Sequence, residues 1–327
     1  MPRSDEQTII ERYFRPLAAE GAFGLLDDAA CVEPVPGTEQ VVTSDMIASG
    51  VHFLPGDPPD TVARKALRVN LSDLASKGAD PHAYLLSIAL GPETDDDWLE
   101  AFAAGLADDQ DRYGIRLLGG DTIATGAACL VSITAIGLVP AGGMVHRSGA
   151  QPGDALYASG TFGTATIGLA LLTDPGSVFH RLDEATKAAC ISRYRVPDPR
   201  VGLAEAVRLH AHAAMDVSDG LVGDADKMLA ASGCAGTIRF EEIPLPAGLD
   251  QGDYATVVEG LITGGDDYEI LASVPPESEK AFADAASVAG IPVSRIGRLA
   301  EGEGPVQVMR ANSAMMLGAR AYVHGSS

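Results

Sequence analysis

Residues 59–77, PDTVARKALRVNLSDLASK, read as one long helix. Pro59 stands where a helix starts, Gly78 where one ends, and Pro81 follows to bar continuation. The apolar stripe steps by four and then three residues through Val62, Ala66 and Val69, and the next step lands on Asp73. A carboxylate on the buried side of a helix is costly unless it is hydrogen-bonded, paired or bound to metal. Asn70 is close enough to share a polar spot with it, and Arg68 is a second candidate partner. Strand-like runs flank the helix, Val-Val-Thr-Ser-Asp-Met at 41–46 and Tyr-Leu-Leu-Ser-Ile-Ala-Leu at 84–90. Strand, helix, strand marks an α/β unit.

Working outward, a helix is expected over 96–113, then a short strand over 116–118, a turn at Gly119-Gly-Asp-Thr122 and a strand over 128–139. Pro140-Ala-Gly-Gly143 reads as a domain joint. Beyond it a second α/β unit follows. Its strands are expected at 155–158, 214–217 and 270–274, with helices entered from Gly160-Thr-Phe-Gly163 and over 221–231. The expected domains are therefore 1–142 and 143–327.

Composition narrows the function classes. Of 327 residues, 46% are hydrophobic and 21% charged, a globular balance. The apolar run from Ala127 to Pro140 is broken by Ser132, Thr134 and Gly137, so it is too short and polar to cross a bilayer. The N-terminal residues lack the apolar core of a signal peptide. Cys31, Cys129, Cys190 and Cys234 are far apart, which argues against a thiolate metal site and for thiols in a reducing cytoplasm. Lys and Arg total 23 against 45 Asp and Glu, a formal charge of −22. Such a field repels nucleic acid and anionic membranes. It also repels nucleotides, unless carboxylates gather cations that invert the local sign.

Several aspartates fit that exception. Asp45, Asp121, Asp216 and Asp219 sit where apolar runs stop, and Asp27 and Asp28 precede Ala29-Ala-Cys-Val32. Strand ends are where α/β proteins hold ligands, although any single aspartate there is more often a turn former or helix cap. Magnesium takes oxygen ligands, a few of them carboxylates, with phosphate and water completing the shell. Aspartates converging from separate elements, without His or Cys, therefore point to several Mg²⁺ ions at a phosphate site. No P-loop and no protein-kinase signature is present.

These stretches together resemble one family, the thiamine-monophosphate kinases of the aminoimidazole-ribonucleotide-synthetase-like superfamily. The matching motifs are Asp27-Asp-Ala-Ala-Cys-Val32, Thr43-Ser-Asp-Met46, Gly50-Val-His-Phe53, Lys65-Ala-Leu-Arg-Val-Asn-Leu-Ser-Asp-Leu-Ala75 and Gly119-Gly-Asp-Thr122. They continue with Arg147-Ser-Gly-Ala150, Met215-Asp-Val-Ser-Asp-Gly-Leu221 and Gly264-Gly-Asp-Asp-Tyr-Glu269, in the family's order and over nearly the whole chain. The resemblance implies a two-domain α/β fold with α+β-type layers. Its N-terminal domain would bind ATP and Mg²⁺ and form a homodimer, and its C-terminal domain would complete the active site.

The resemblance also implies roles. Asp27, Thr43, Ser44, Asp45, Asp73, Asp121, Asp216 and Asp219 would be Mg²⁺ ligands. Gly120, Asp121, Arg147 and Ser218 would contact ATP, while His52, Asp266 and Tyr322 would contact thiamine monophosphate. Asp73, Asp121 and Arg147 would carry catalysis. Three positions depart from the family pattern: Leu26 replaces a glycine, Asp266 a glutamate, and Ala103 a tyrosine whose nucleotide contact Phe102 is a candidate to supply. The implied reaction is in-line transfer of the ATP γ-phosphoryl group to thiamine monophosphate, giving thiamine diphosphate. The rivals are a sister ATP-dependent synthetase acting on a purine precursor or selenide, a metal-dependent phosphatase, and a non-catalytic nucleotide scaffold.

Overall fold

In a computed structural model that describes residues 3–249 and 257–322, the long helix expected over 59–77 spans Pro59–Ser76. It is buried on nearly every side. Val62, Ala63, Ala66, Leu67, Val69, Leu71 and Leu74 are all at most 2% exposed. Each buried leucine contributes roughly 1.5–3 kcal/mol of transfer free energy, so the sequence tolerates polar residues there only where they find partners.

In chain order the elements are α1 (Glu6–Ile9), β1 (Thr38–Ala48), α2 (Pro59–Ser76), β2 (Asp80–Leu90), α3 (Asp96–Tyr113), β3 (Arg116–Ala124) and β4 (Leu130–Pro140). They are followed by β5 (Ala155–Ser159), α4 (Thr164–Thr173), α5 (Glu184–Arg195), α6 (Ala204–His210), β6 (Ala213–Val217), α7 (Leu221–Ser232) and β7 (Ala235–Arg239). The last are α8 (Val258–Thr263), β8 (Glu269–Val274), α9 (Glu279–Val288), β9 (Val293–Ala300), β10 (Gln307–Arg310) and β11 (Ser313–Ala314). Two compact units result, Met1–Leu74 with Ala79–Gly142, and Ala75–Gly78 with Gly143–Ser327.

The first unit holds a four-stranded sheet in the order β1-β4-β2-β3, in which β2 and β3 are parallel and joined through α3. Period-2 alternation decides which side chains meet the helices. Val41, Ile47, Leu86, Ile88, Val131 and Ile133 turn inward and are at most 4% exposed. Their neighbours Val42, Met46, Leu85, Ile123 and Leu130 turn outward and are 37–59% exposed, so this outer face carries uncovered apolar side chains among its polar ones.

The second unit holds a seven-stranded mixed sheet in the order β11-β10-β7-β9-β5-β8-β6. Every residue of β5, β6 and β8 is buried, as expected of strands covered on both faces. One core cluster, around Phe162, Met215 and Leu271, and another, around Phe282, Ile270 and Ala272, pack in this unit.

Two expectations need correction. Gly119-Gly-Asp-Thr122 is not a turn but the middle of β3, paired with Leu85–Ile88 of β2. Asp45 likewise lies inside β1, opposite Ile133, rather than at its end. The glycines explain the first case. A Cβ on Gly120, whose φ is +153°, would lie 1.6 Å from the Leu86 carbonyl oxygen, so glycine here permits close strand pairing rather than chain reversal.

Candidate active site

Within the first unit, α2 turns a polar row toward β1. The Thr43 hydroxyl donates to Asp73 Oδ2, and Asn70 Oδ1 accepts from the Asp45 backbone N–H at 3.0 Å. Asn70 is fully buried, and its own amide donates to Ala66 O at 3.0 Å. Burial, and after it the adjoining Asp73 carboxylate, push the Asp45 carboxyl up to about 6. Two carboxylates and a hydroxyl held this closely form an anionic pocket that a divalent cation would relieve. Arg68 engages elsewhere, in a bidentate pair with Asp109 of α3 at 2.6 and 2.7 Å.

In the same unit, a pocket of about 640 Å³ is lined by Asp27, Asp28, Gly119, Gly120, Asp121 and Thr122, together with Ile10, Phe14 and Leu25. The sheet register places Asp121 in one cross-strand row with Ser87, Ser132 and Met46, on the outer face. Ser44 also points outward, with its hydroxyl 2.9 Å from Thr134 Oγ1. The acidic set of this unit is thus split across the sheet. Among the described residues no three His, Cys, Asp or Glu side chains gather closely enough to hold one ion. The expected convergence is corrected to small groups, because alternation sends Thr43 and Asp45 one way and Ser44 and Asp121 the other. Small groups still suit Mg²⁺, which leaves much of its shell to water and phosphate.

The second unit gathers its residues through the backbone. Asp266 N donates to Ser218 O and Tyr268 N to Val217 O, at 2.9 and 2.8 Å. Tyr322 N donates to Asp219 O at 2.8 Å. Three segments distant in sequence, around 217–219, 266–268 and Tyr322, are in this way assembled beside the end of β6. A Cβ on Gly265 would lie 2.5 Å from Ser218 O, so glycine is required where the two loops touch. Asp266 and Tyr268 both take positive φ, 72° and 51°, strained values held by these loop contacts. Arg147 is exposed on the segment whose His146 O accepts from Ala214 N of β6 at 3.0 Å.

Several supporting residues went unassigned in the sequence. Asp224, 1% exposed, accepts from both Ser218 N and Asp219 N at 3.0 Å. Burial raises its carboxyl, while Lys227 opposes that shift from 2.7 Å. Lys227 also reaches Asp219 Oδ2 at 2.5 Å. Asp267 caps the start of α4, accepting from Gly163 N and Ala165 N at 2.7 and 3.3 Å. Burial pushes its carboxyl up to about 8, against those two donors. Glu269 takes the Arg200 guanidinium at 2.5 and 2.6 Å and the Ser159 hydroxyl at 2.6 Å. Asp267 and Glu269 stand inside the quoted Gly-Gly-Asp-Asp-Tyr-Glu motif, which was the available signal.

Comparison with known proteins agrees with this layout. AIR synthase related protein, N-terminal domain, matches residues 26–139, and the corresponding C-terminal domain matches residues 151–309. The thiamine-monophosphate kinase of Caulobacter vibrioides is 45% identical over 304 residues, 90% of this chain and 84% of that protein. This chain belongs to the thiamine-monophosphate kinase family.

The crystal structure of the Stenotrophomonas maltophilia K279a thiamine-monophosphate kinase superposes with a TM-score of 0.82 at 35% identity, covering 96% of this chain and 99% of that one. AaThiL complexed with AMPPCP and TMP superposes at 0.75 with 29% identity, covering 93% and 97%.

The departures from the kinase family pattern now have physical readings. Leu26 takes φ −108° and ψ −8°, open to any residue, while positive φ falls on Phe23, Gly24 and Leu25. Phe102 is fully buried and stacks on Trp98 at 4.9 Å, so it does not replace the missing tyrosine at Ala103. Asp266 accepts from the Tyr268 hydroxyl at 3.4 Å.

Proposed function

We propose that this member of the family performs the ATP-dependent phosphorylation of thiamine monophosphate to thiamine diphosphate, and that its residues divide the work as follows. The observation carrying the reading is the loop assembly beside β6, where Ser218, Asp219, Asp266 and Tyr322 are joined by backbone hydrogen bonds next to Asp216, itself paired with Ile270 of β8. ATP is the co-substrate, in keeping with the ATP analogue and TMP held by AaThiL.

In the first unit, Asp45, Asp73 and Thr43 would hold Mg²⁺ on one side of the sheet, and Asp27 and Asp121 on the other, with Gly120 beside the nucleotide. In the second unit, Asp216 and Asp219 would be metal ligands and Ser218 and Arg147 nucleotide contacts. His52, Asp266 and Tyr322 would contact thiamine monophosphate. Bound Mg²⁺ supplies charge neutralisation for phosphate oxygens. The chain's own residues bind and align the two substrates, and Arg147 offers a permanent cation. A phosphomonoester has its second pKa at about 6, so the attacking oxygen is already deprotonated at neutral pH and no side chain need act as base. The reading also includes a homodimer, supported by the uncovered apolar face of the four-stranded sheet, and a cytoplasmic setting, supported by free Cys31, Cys129, Cys190 and Cys234.

The test incubates the purified chain with ATP, Mg²⁺ and thiamine monophosphate, with chromatography for thiamine diphosphate. Product should form only in the complete mixture, and Asp73→Asn and Asp121→Asn should abolish it. ATP consumption without thiamine diphosphate would sink the reading.

A further inference from the structure

Lys65 is 1% exposed, in the middle of α2. A buried ammonium needs strong acceptors, and one of them is specific: Lys65 Nζ donates to the His52 carbonyl oxygen at 2.7 Å. The loop that carries His52 is held at its start, where Ser49 N donates to Cys129 O at 3.0 Å, and by its own turn. His52 N donates to Ala48 O at 2.9 Å, and Gly50 N donates to Phe53 O at 2.8 Å, with Gly50 at φ +78°. The imidazole is fixed as well. The Ala48 backbone N–H donates to His52 Nδ1 at 3.2 Å. A backbone N–H has no acceptor capacity, so Nδ1 must present its lone pair, and the neutral ring carries its proton on Nε2.

We propose that Lys65 is a positioning residue for thiamine monophosphate, and that it acts by holding the His52 loop so that Ala48 N–H selects the Nε2–H tautomer of His52. In that tautomer His52 offers the substrate a hydrogen-bond donor at Nε2. The partner class is therefore an acceptor atom of thiamine monophosphate, a phosphate oxygen or a pyrimidine ring nitrogen, and not its exocyclic amine. This inference rests on the assignment of His52 as a substrate contact. It deepens that assignment by naming the atom, its protonation and the residue that holds it.

Steady-state kinetics of Lys65→Met, His52→Gln, His52→Asn and His52→Ala test it, with both substrates varied. A glutamine amide nitrogen reaches the place of Nε2, and an asparagine one the place of Nδ1. Losing the tether should raise KM for thiamine monophosphate about tenfold in Lys65→Met, while kcat and KM for ATP stay within about twofold. His52→Gln should keep a lower KM for thiamine monophosphate than His52→Asn. An unchanged KM in Lys65→Met, beside a raised KM in His52→Ala, overturns the positioning role alone. Equal loss in kcat and both KM values in Lys65→Met also overturns it, since that is mere structural damage. An unchanged KM in His52→Ala overturns the substrate contact itself, and no thiamine diphosphate from the unaltered enzyme overturns the reaction. Should Lys65→Met fail to fold, ¹⁵N imidazole spectra of the unaltered enzyme, assigned by difference from His52→Gln, decide the matter. Protonated Nε2 supports the inference and protonated Nδ1 overturns it.

Discussion

At the scale of single residues, the carboxylates divide into those proposed above as ligand contacts and those that hold loops. Asp45 is of the first kind, and its burial gives it a measurable signature. Its folded carboxyl protonates at about 6, against about 3.9 in an unfolded chain. Between those values the folded chain binds more protons than the unfolded one. Asp45 therefore favours folding below about pH 4, and that contribution is lost as pH rises through about 6. We expect metal-free Asp45→Asn, followed by thermal denaturation from pH 4 to 7, to lose less stability than the parent chain over this range. Equal slopes for the two proteins would remove the assignment. Asp73 was legible in the sequence because it broke an apolar stripe. Asp224 was not, since an acidic residue in the first turn of a helix already looks explained by the helix dipole. Only the fold shows that its carboxylate turns back to hold Ser218 N and Asp219 N.

Among the elements, α2 and α3 are tied by the Arg68–Asp109 pair, with side chains 4% and 1% exposed and the guanidinium 5.4 Å from the Tyr113 ring centroid. Removing one member of a buried pair leaves the other charged and uncompensated. Asp109→Ala should therefore lower stability by roughly 3–5 kcal/mol in denaturant unfolding, more than an exposed pair such as Lys280–Asp284 could contribute. A loss below about 1 kcal/mol would mean the pair is solvated in solution. The long helices α2, α3 and α7 and the buried strands β5, β6 and β8 were readable from apolar period and capping residues, whereas the short α1 and α8, and α9, were not. The stretch Gly119-Gly-Asp-Thr122 was not, because a glycine pair reads as a turn unless the neighbouring strand is known to crowd it. The split of the acidic residues across the sheet was hidden for a related reason. Whether a strand stops at an aspartate or runs through it decides which face the aspartate takes, and a register shift between Tyr84 and Leu85 adjusts that count in β2 against β3.

For the whole molecule, two opposing terms govern self-association. The outer face of the first unit's sheet carries Val42, Met46, Leu85, Ile123 and Leu130 with no cover, and apolar area of this kind favours a second copy. The formal charge of −22 on each chain opposes it. Salt screens the second term, with a Debye length of about 10 Å at 0.1 M, and leaves the first largely intact. We therefore expect a dimer in sedimentation equilibrium that tightens as salt rises from low to moderate concentration. Val42→Lys combined with Met46→Lys should yield a folded monomer, because both side chains are more than half exposed and their replacement costs the fold of the single chain little. A parent chain that stays monomeric at micromolar concentration in moderate salt would show that this face meets something other than its own kind. Loosening of the dimer on adding salt would show that charge pairs, rather than the apolar rows of β1 to β4, hold it together.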